Sequence, residues 1–208
     1  MQPAFGKDFP MKFVLASASP RRREILSHLG LDFTVLCADA DESSDETCGE
    51  RLVEILSRRK AEAVLATMRA AGSLTPDTVI LAADTVVVSP DGEILGKPRD
   101  EADADRMLRL LSGRTHRVIS GICVISGDKT VTAHEVTKVT FDRLSDEVIA
   151  RYIATGEPND KAGAYGIQDT ACLWINGIEG DYFNVVGLPV HRLESVLREE
   201  FGGSLWSK

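Results

Sequence analysis

The stretch KFVLASASPRRREILSHLG, Lys12–Gly30, decides the fold. Lys12–Ser17 is a short apolar run of strand length. Ser19 then offers an N-cap, Pro20 the favoured first helical position, and Gly30 a stop after Ile25, Leu26 and Leu29. A strand that passes at once into a helix is the opening unit of an α/β fold. Leu31–Leu36 reads as the next strand, and an acidic loop, Asp39–Glu50, follows it.

The same alternation continues outward. A long helix is expected from about Glu50 to Ala70, with Leu52, Leu56, Ala63, Val64 and Thr67 as its apolar stripe. Thr78–Ser89 is a β-branched strand that turns at Ser89-Pro90-Asp91-Gly92 into Glu93–Gly96. Asp100 caps a helix carrying Ala104, Met107, Leu108 and Leu111, which stops at Gly113. Thr115–Phe141 reads as a hairpin turning near Gly127-Asp128, and Ser145–Thr155 as a helix. A glycine-rich loop, Glu157–Gln168, leads to a second hairpin with Asn176-Gly177 at its tip, and Pro189–Phe201 forms the last helix. Residues 1–10 read as a disordered extension and residues 11–208 as a single domain.

Composition narrows the function. The 208 residues carry a net charge of −8, which argues against a broad basic surface for nucleic acid but leaves room for a small basic pocket. No apolar run reaches the roughly 18 residues a spanning helix needs, so no membrane is expected as a partner. Cys37, Cys48, Cys123 and Cys172 are widely spaced and show neither a zinc pattern nor a disulfide framework, which fits a reducing cytoplasm.

Functional residues tend to contradict their own local environment. Arg21, Arg22 and Arg23 sit in the first turn of a helix, at the positive end of its dipole, where a bound phosphate would reverse the sign of the interaction. Asp84 lies inside the apolar strand VILAADTVVV and needs a partner, a hydrogen bond or a metal. A two-residue turn around Pro90-Asp91 sets Asp84 opposite Lys97, with Pro98 ending the pairing. Lys60 falls in line with Leu56 and Val64 on the apolar stripe of its helix. Lys161 and Gln168 offer donors from a loop whose glycines allow close approach of backbone to a ligand. Several cations around one or two carboxylates, in an acidic chain, suit a polyanionic small molecule bridged by a divalent metal.

The usual nucleotide signatures are missing: there is no GxxxxGK[ST] loop, no GxGxxG after the first strand, no HExxH and no GxSxG elbow. His28, His116, His134 and His191 are scattered and read as structural or surface residues.

Taken in order, Leu15-Ala16-Ser17-Ala18-Ser19-Pro20-Arg21-Arg22, Ala83-Asp84-Thr85, Gly96-Lys97-Pro98, Leu111-Ser112-Gly113-Arg114-Thr115-His116 and Asp160 through Gln168 resemble the Maf family of nucleotide pyrophosphatases. The resemblance runs from about Lys12 to Leu197. It implies an α/β fold with a mixed β-sheet flanked by helices and a central cleft, similar to inosine triphosphate pyrophosphatase-like folds. Ala-Asp-Thr and the Gly-Ala-Tyr-Gly-Ile-Gln loop resemble the branch that hydrolyses dTTP and UTP to the monophosphate and pyrophosphate. By that match Arg21, Thr85 and Gln168 select the base, while Ser17, Arg22, Lys60, Lys97 and Lys161 contact phosphate or nucleotide. The same match implies that Asp84 serves as catalytic base or chiefly as a metal ligand, with Glu42 as its acidic partner at a divalent Mg²⁺ or Mn²⁺. The expected partners are a nucleoside triphosphate, canonical or modified, and a second copy of the chain in a homodimer. Two rival readings come from the same resemblance. One is a purine or modified-nucleotide pyrophosphatase of the same fold. The other is a non-catalytic regulator of cell division acting through a protein partner.

Overall fold

The structure, a computed structural model, describes residues 11–206; the extension expected over residues 1–10 lies outside the described residues. Its strands are β1 (Lys12–Leu15), β2 (Phe33–Val35), β3 (Thr78–Val88), β4 (Ile94–Leu95), β5 (Thr115–Ser126), β6 (Lys129–Phe141) and β7 (Ile175–Glu179). Its helices are α1 (Pro20–His28), α2 (Gly49–Ala70), α3 (Glu101–Leu111), α4 (Asp146–Ile153), α5 (Tyr182–Val186) and α6 (Val190–Phe201). The strands form one seven-stranded sheet in the order β2-β1-β3-β5-β6-β7, with β4 added to β3. Pairing is parallel from β2 through β1 to β3 and antiparallel from β3 onward, so the sheet is mixed, as expected. The hairpin expected to turn near Gly127-Asp128 forms, with Ser126 opposite Lys129. No helix among the described residues is long and apolar enough to cross a membrane.

The two faces of β3 bury different things. Ile80, Ala82, Val86 and Val88 pack with Val53, Ala61, Val64 and Met68 of α2 on one face. Val79, Leu81 and Ala83 pack toward α1 and α6 on the other. Farther along that second face, Val87 joins a separate core with α3, α4 and the loop residues Ala164, Tyr165 and Trp174. The buried stripe of α2 is Val53, Leu56, Ser57, Ala61, Val64 and Met68. It keeps the expected Leu56 and Val64, while Val53, Ala61 and Met68 take the buried places expected of Leu52, Ala63 and Thr67, because the helix faces its sheet chiefly through Val53.

That seat is set by two glycines. A Cβ on Gly121 of β5 would stand 2.5 Å from the Val53 carbonyl oxygen, and one on Gly49 would stand 2.9 Å from Ile119 and Val88. Without side chains there, α2 backbone rests directly on the sheet. Gly121 is also the residue paired with Asp84 across β3 and β5.

Three expectations need correction. The turn after β3 is one residue longer than a two-residue hairpin: Gly92 adopts φ +91, Ser89 N–H donates to Glu93 O, and Val87 pairs with Leu95. This shifts the register by one, and pairing stops at Leu95, so Asp84 does not lie opposite Lys97. Asn176-Gly177 is not a hairpin tip but lies inside β7, with Gly177 opposite Thr140 on β6 and a register shift at Thr140/Phe141. The residues before β7, Thr170–Leu173, form a 3₁₀ turn and supply no first arm. Ser19 holds the N-cap position of α1, but its side chain makes no capping bond.

The pairing leaves one functional gap. β5 covers one edge of β3 from Val79 to Val88. On the other edge β1 pairs only as far as Leu81 and β4 only from Val87. Ala82–Val86 therefore has an open edge among the described residues, with Asp84 and Thr85 in its middle. Gly121→Ala should lift α2 from the sheet and lower unfolding stability by about 1–3 kcal/mol, measured by urea denaturation; wild-type stability in this variant would show that the helix seat adapts freely.

Candidate active site

A cleft of about 790 Å³ opens along the gap in β3. Every residue matched to the family's site lines it: Ser17, Arg21, Arg22, Glu42 and Lys60 from the α1 and α2 side, Asp84, Thr85 and Lys97 from β3 and the turn beyond, Lys161 and Gln168 from the loop. Because successive strand residues face opposite ways, Asp84 points toward α2 and Thr85 toward α1 and α5. The cleft wraps around the strand edge and meets both.

On the α2 face, Lys60 Nζ lies 2.6 Å from Asp84 Oδ1 and 3.0 Å from Glu42 Oε1. One ammonium thus sits between the two carboxylates matched to the metal. The charge Asp84 brings into an apolar strand is answered by Lys60, not by Lys97. Lys97 is exposed at the cleft and makes no ion pair among the described residues. Glu42 is held in place through its neighbours: Arg59 Nη1 donates to the carbonyls of Asp41 at 3.0 Å and Ser43 at 2.6 Å, one on each side of it.

On the opposite face, Arg22 is tied to the protein by three bonds. Nε donates to Gly187 O at 2.8 Å, Nη1 to Ser17 Oγ at 3.0 Å and Nη2 to Thr85 Oγ1 at 3.1 Å. Burial draws its guanidinium below the ordinary arginine range, with Asp84 opposing that shift. Two of its five N–H groups remain for a ligand. The Thr85 hydroxyl is engaged on both sides: Ser120 Oγ, 2.8 Å away, gives its own proton to Asn184 O at 2.8 Å, so Thr85 donates to Ser120 and accepts from Arg22. Thr85 and Ser120 are direct cross-strand partners. Asn184, fully buried, closes the chain: its Oδ1 accepts from Ser120 N–H and its Nδ2 donates to Val118 O and Thr137 Oγ1, each at 2.9 Å.

The loop wall is held by its own charges. Lys161 is buried, and its ammonium has three acceptors: Glu157 O at 2.6 Å, Asp160 Oδ1 at 2.9 Å and Asp169 Oδ2 at 3.2 Å. Arg21 Nη1 reaches Asp160 Oδ2 at 3.2 Å, joining α1 to the loop. Burial pushes the Asp160 carboxyl up, but the Lys161 bond and the Arg21 charge bring it below the usual range. Gly163 and Ala164 are both left-handed, with φ +69 and +61, and Gly163 N–H donates to Gly96 O at 3.0 Å. This sharp bend buries Tyr165 against Phe141 and His116, whose Nε2 lies 2.8 Å from the Tyr165 hydroxyl. Gln168 is exposed at the cleft.

Asn184, Ser120 and Gly187 escaped the sequence reading. The signal that marks Asp84 also marks Asn184, a polar residue inside the apolar run FNVVGLPV, residues 183–190. Gly187 accepts from Arg22 and adopts φ +121, which favours glycine there.

Glu42 and Asp84 supply hard oxygen ligands, and a cation already stands between them. No group of three or more His, Cys, Asp or Glu among the described residues forms a closed metal cage. This donor set fits a Mg²⁺- or Mn²⁺-type ion that completes its shell with phosphate oxygens and water.

The profile of the Maf-like protein family matches residues 12–200 of this chain. Curated relatives include the dTTP/UTP pyrophosphatases of Symbiobacterium thermophilum, 48% identical over 189 residues, covering 90% of this chain and 93% of the relative. That of Moorella thermoacetica is 50% identical over 201 residues, covering 95% and 98%. That of Thermococcus gammatolerans is 52% identical over 177 residues, covering 85% and 90%. Among solved structures, a HAM1 protein from Coxiella burnetii aligns with a TM-score of 0.49 at 14% identity, over 91% of this chain and 100% of that one.

The frame around the cleft can be tested without substrate. Asn184→Ala removes the amide's bonds to Ser120 N–H, Val118 O and Thr137 Oγ1 from the interior and should cost about 2–4 kcal/mol of stability, read by urea denaturation. A loss below experimental error would mean that water replaces the amide. His116 supplies a second test, because burial lowers its pKa from 6.5 to about 4 and its Nδ1 has no partner among the described residues. The unfolded ring binds its proton more readily, so stability is full above pH 6.5 and is lost as the pH falls from 6.5 to 4. The difference amounts to about 3 kcal/mol. His116→Asn should flatten unfolding free energy across that window; an unchanged slope would assign the acid sensitivity to other groups.

Proposed function

The chain belongs to the Maf-like protein family, and on that premise we propose that it is a metal-dependent nucleoside triphosphate pyrophosphatase that cleaves dTTP and UTP. The carrying observation is the row Glu42–Lys60–Asp84, charged groups 3.0 and 2.6 Å apart on the wall of a nucleotide-sized cleft. Phosphoryl chemistry asks chiefly for charge neutralisation and positioning, and this cleft brings four further cations, Arg21, Arg22, Lys97 and Lys161, to the same space.

In this reading Asp84 accepts a proton from the attacking water. The water oxygen bonds to the α-phosphorus, the bond to the bridging oxygen breaks, and pyrophosphate leaves from the monophosphate. A divalent cation held by Glu42 and Asp84 supplies neutralisation of phosphate charge when bound. Lys97, without an ion pair among the described residues, is the cation most ready to meet a phosphate. Arg22 and Lys161 meet one with what their protein bonds leave over: two N–H groups on Arg22, and on Lys161 a proton exchanged from one of three acceptors.

Base selection falls to the opposite face and the loop. The Gln168 amide is exposed at the cleft and carries both a donor and an acceptor, the complement of a uracil or thymine edge. Arg21 stands on the same side, tied to Asp160. Thr85 contributes by fixing Arg22. The names of the relatives support pyrimidine over purine substrates.

Pyrophosphate release should be measured across UTP, dTTP and purine triphosphates, with and without Mg²⁺ or Mn²⁺. Asp84→Asn should lower the UTP and dTTP rates by at least about a hundredfold. An undiminished rate would refute the role given to Asp84, and a clear purine preference would refute the base assignment.

A further inference from the structure

The position of Lys60 implies more than a phosphate contact, and the role inferred for it rests on the proposed function. The ammonium stands between Asp84 and Glu42, 2.6 and 3.0 Å away, where a cation shared by the two carboxylates would sit. The arrangement is built from both sides. Lys60 leaves α2 between buried Leu56 and Val64, and Arg59 clasps the carbonyls flanking Glu42. Two carboxylates without a third acidic or imidazole ligand make a weak protein site for a small divalent ion, which keeps much of its water. An ammonium inside the pair weakens it further, halving the negative charge a metal would meet.

We propose that Lys60 is an internal counter-ion that keeps divalent metal out of the Glu42–Asp84 pair until nucleotide binds. An incoming phosphate offers the ammonium a more highly charged partner and offers the metal its missing oxygen ligands. Lys60 then swings from carboxylate to phosphate on its flexible stem, and metal and nucleotide enter as a unit. In the empty protein the same lysine compensates the charge of Asp84 inside the sheet.

The test measures metal binding, not turnover. The full chain is titrated with Mn²⁺ alone, and free ion is followed by electron paramagnetic resonance. Removing the competing charge in Lys60→Met should tighten Mn²⁺ binding at least about tenfold. Adding Glu42→Gln to that variant should abolish the gain. A non-hydrolysable α,β-imido UTP should confer comparable tightening on the wild-type protein. Lys60→Gln serves the same purpose if Lys60→Met fails to fold, with thermal unfolding as the check. If nucleotide-free wild-type protein binds Mn²⁺ as tightly as the Lys60 variants, the counter-ion role is overturned while the metal-nucleotide reading stands. If neither the variants nor the wild-type protein with imido nucleotide hold Mn²⁺, the metal site itself is misassigned and this inference falls with it.

Discussion

A carboxylate in the middle of a buried strand must be answered by positive charge, and the arrangement of the protein around Asp84 is shaped by that need. The answer, Lys60, arrives on a helix that has to lie close enough for one ammonium to reach 2.6 Å. Glycine at positions 49 and 121 permits that approach, and Val53 turns it into packing. Once α2 is seated, Arg59 on its next-door position fastens the acidic loop, and Glu42 is delivered to the same ammonium. One electrostatic requirement thus links a strand, a helix and a loop that are far apart in sequence.

The second face is organised by hydrogen bonds. Thr85, Ser120 and Asn184 lie where the core against α1 and α6 gives way to the core against α3 and α4. Each donor has an acceptor, so the chain rigidifies the seam instead of weakening it. Arg22 is the outermost member and belongs as much to this frame as to the cleft. It also accounts for a basic residue at a helix start: carbonyl and hydroxyl oxygens of the protein hold it there.

Much of this was legible in the sequence, for a physical reason. Asp84, Lys60 and the arginines contradict their local surroundings, and such contradictions survive without knowledge of tertiary structure. Long elements with strong periodicity, such as β5, β6 and α3, were equally plain. What depended on a single residue was not. The extra residue at Gly92 moves the β3–β4 register by one and leaves Lys97 beyond the pairing, a change that nothing in the local composition announces. Asn176-Gly177 has the composition of a turn, yet β6 offered a pairing edge that outweighed that preference. The α2 stripe keeps Leu56 and Val64 but centres on Val53, because Gly121, in a strand far along the chain, selects which helical face can come close. Asn184 carries the same kind of signal as Asp84, but in a shorter apolar run broken by Gly187 and Pro189.

Asp84 and Thr85 are sequence neighbours that belong to different interiors, one with α2 and the other with α1 and α5. Among the described residues their side chains share no hydrogen-bond partner, and the pull of Asp84 on the Arg22 guanidinium is the coupling across the strand. Alternation along one extended strand thus gives the two walls of the cleft separate foundations, one on the α2 core and one on the core of α1 and α6.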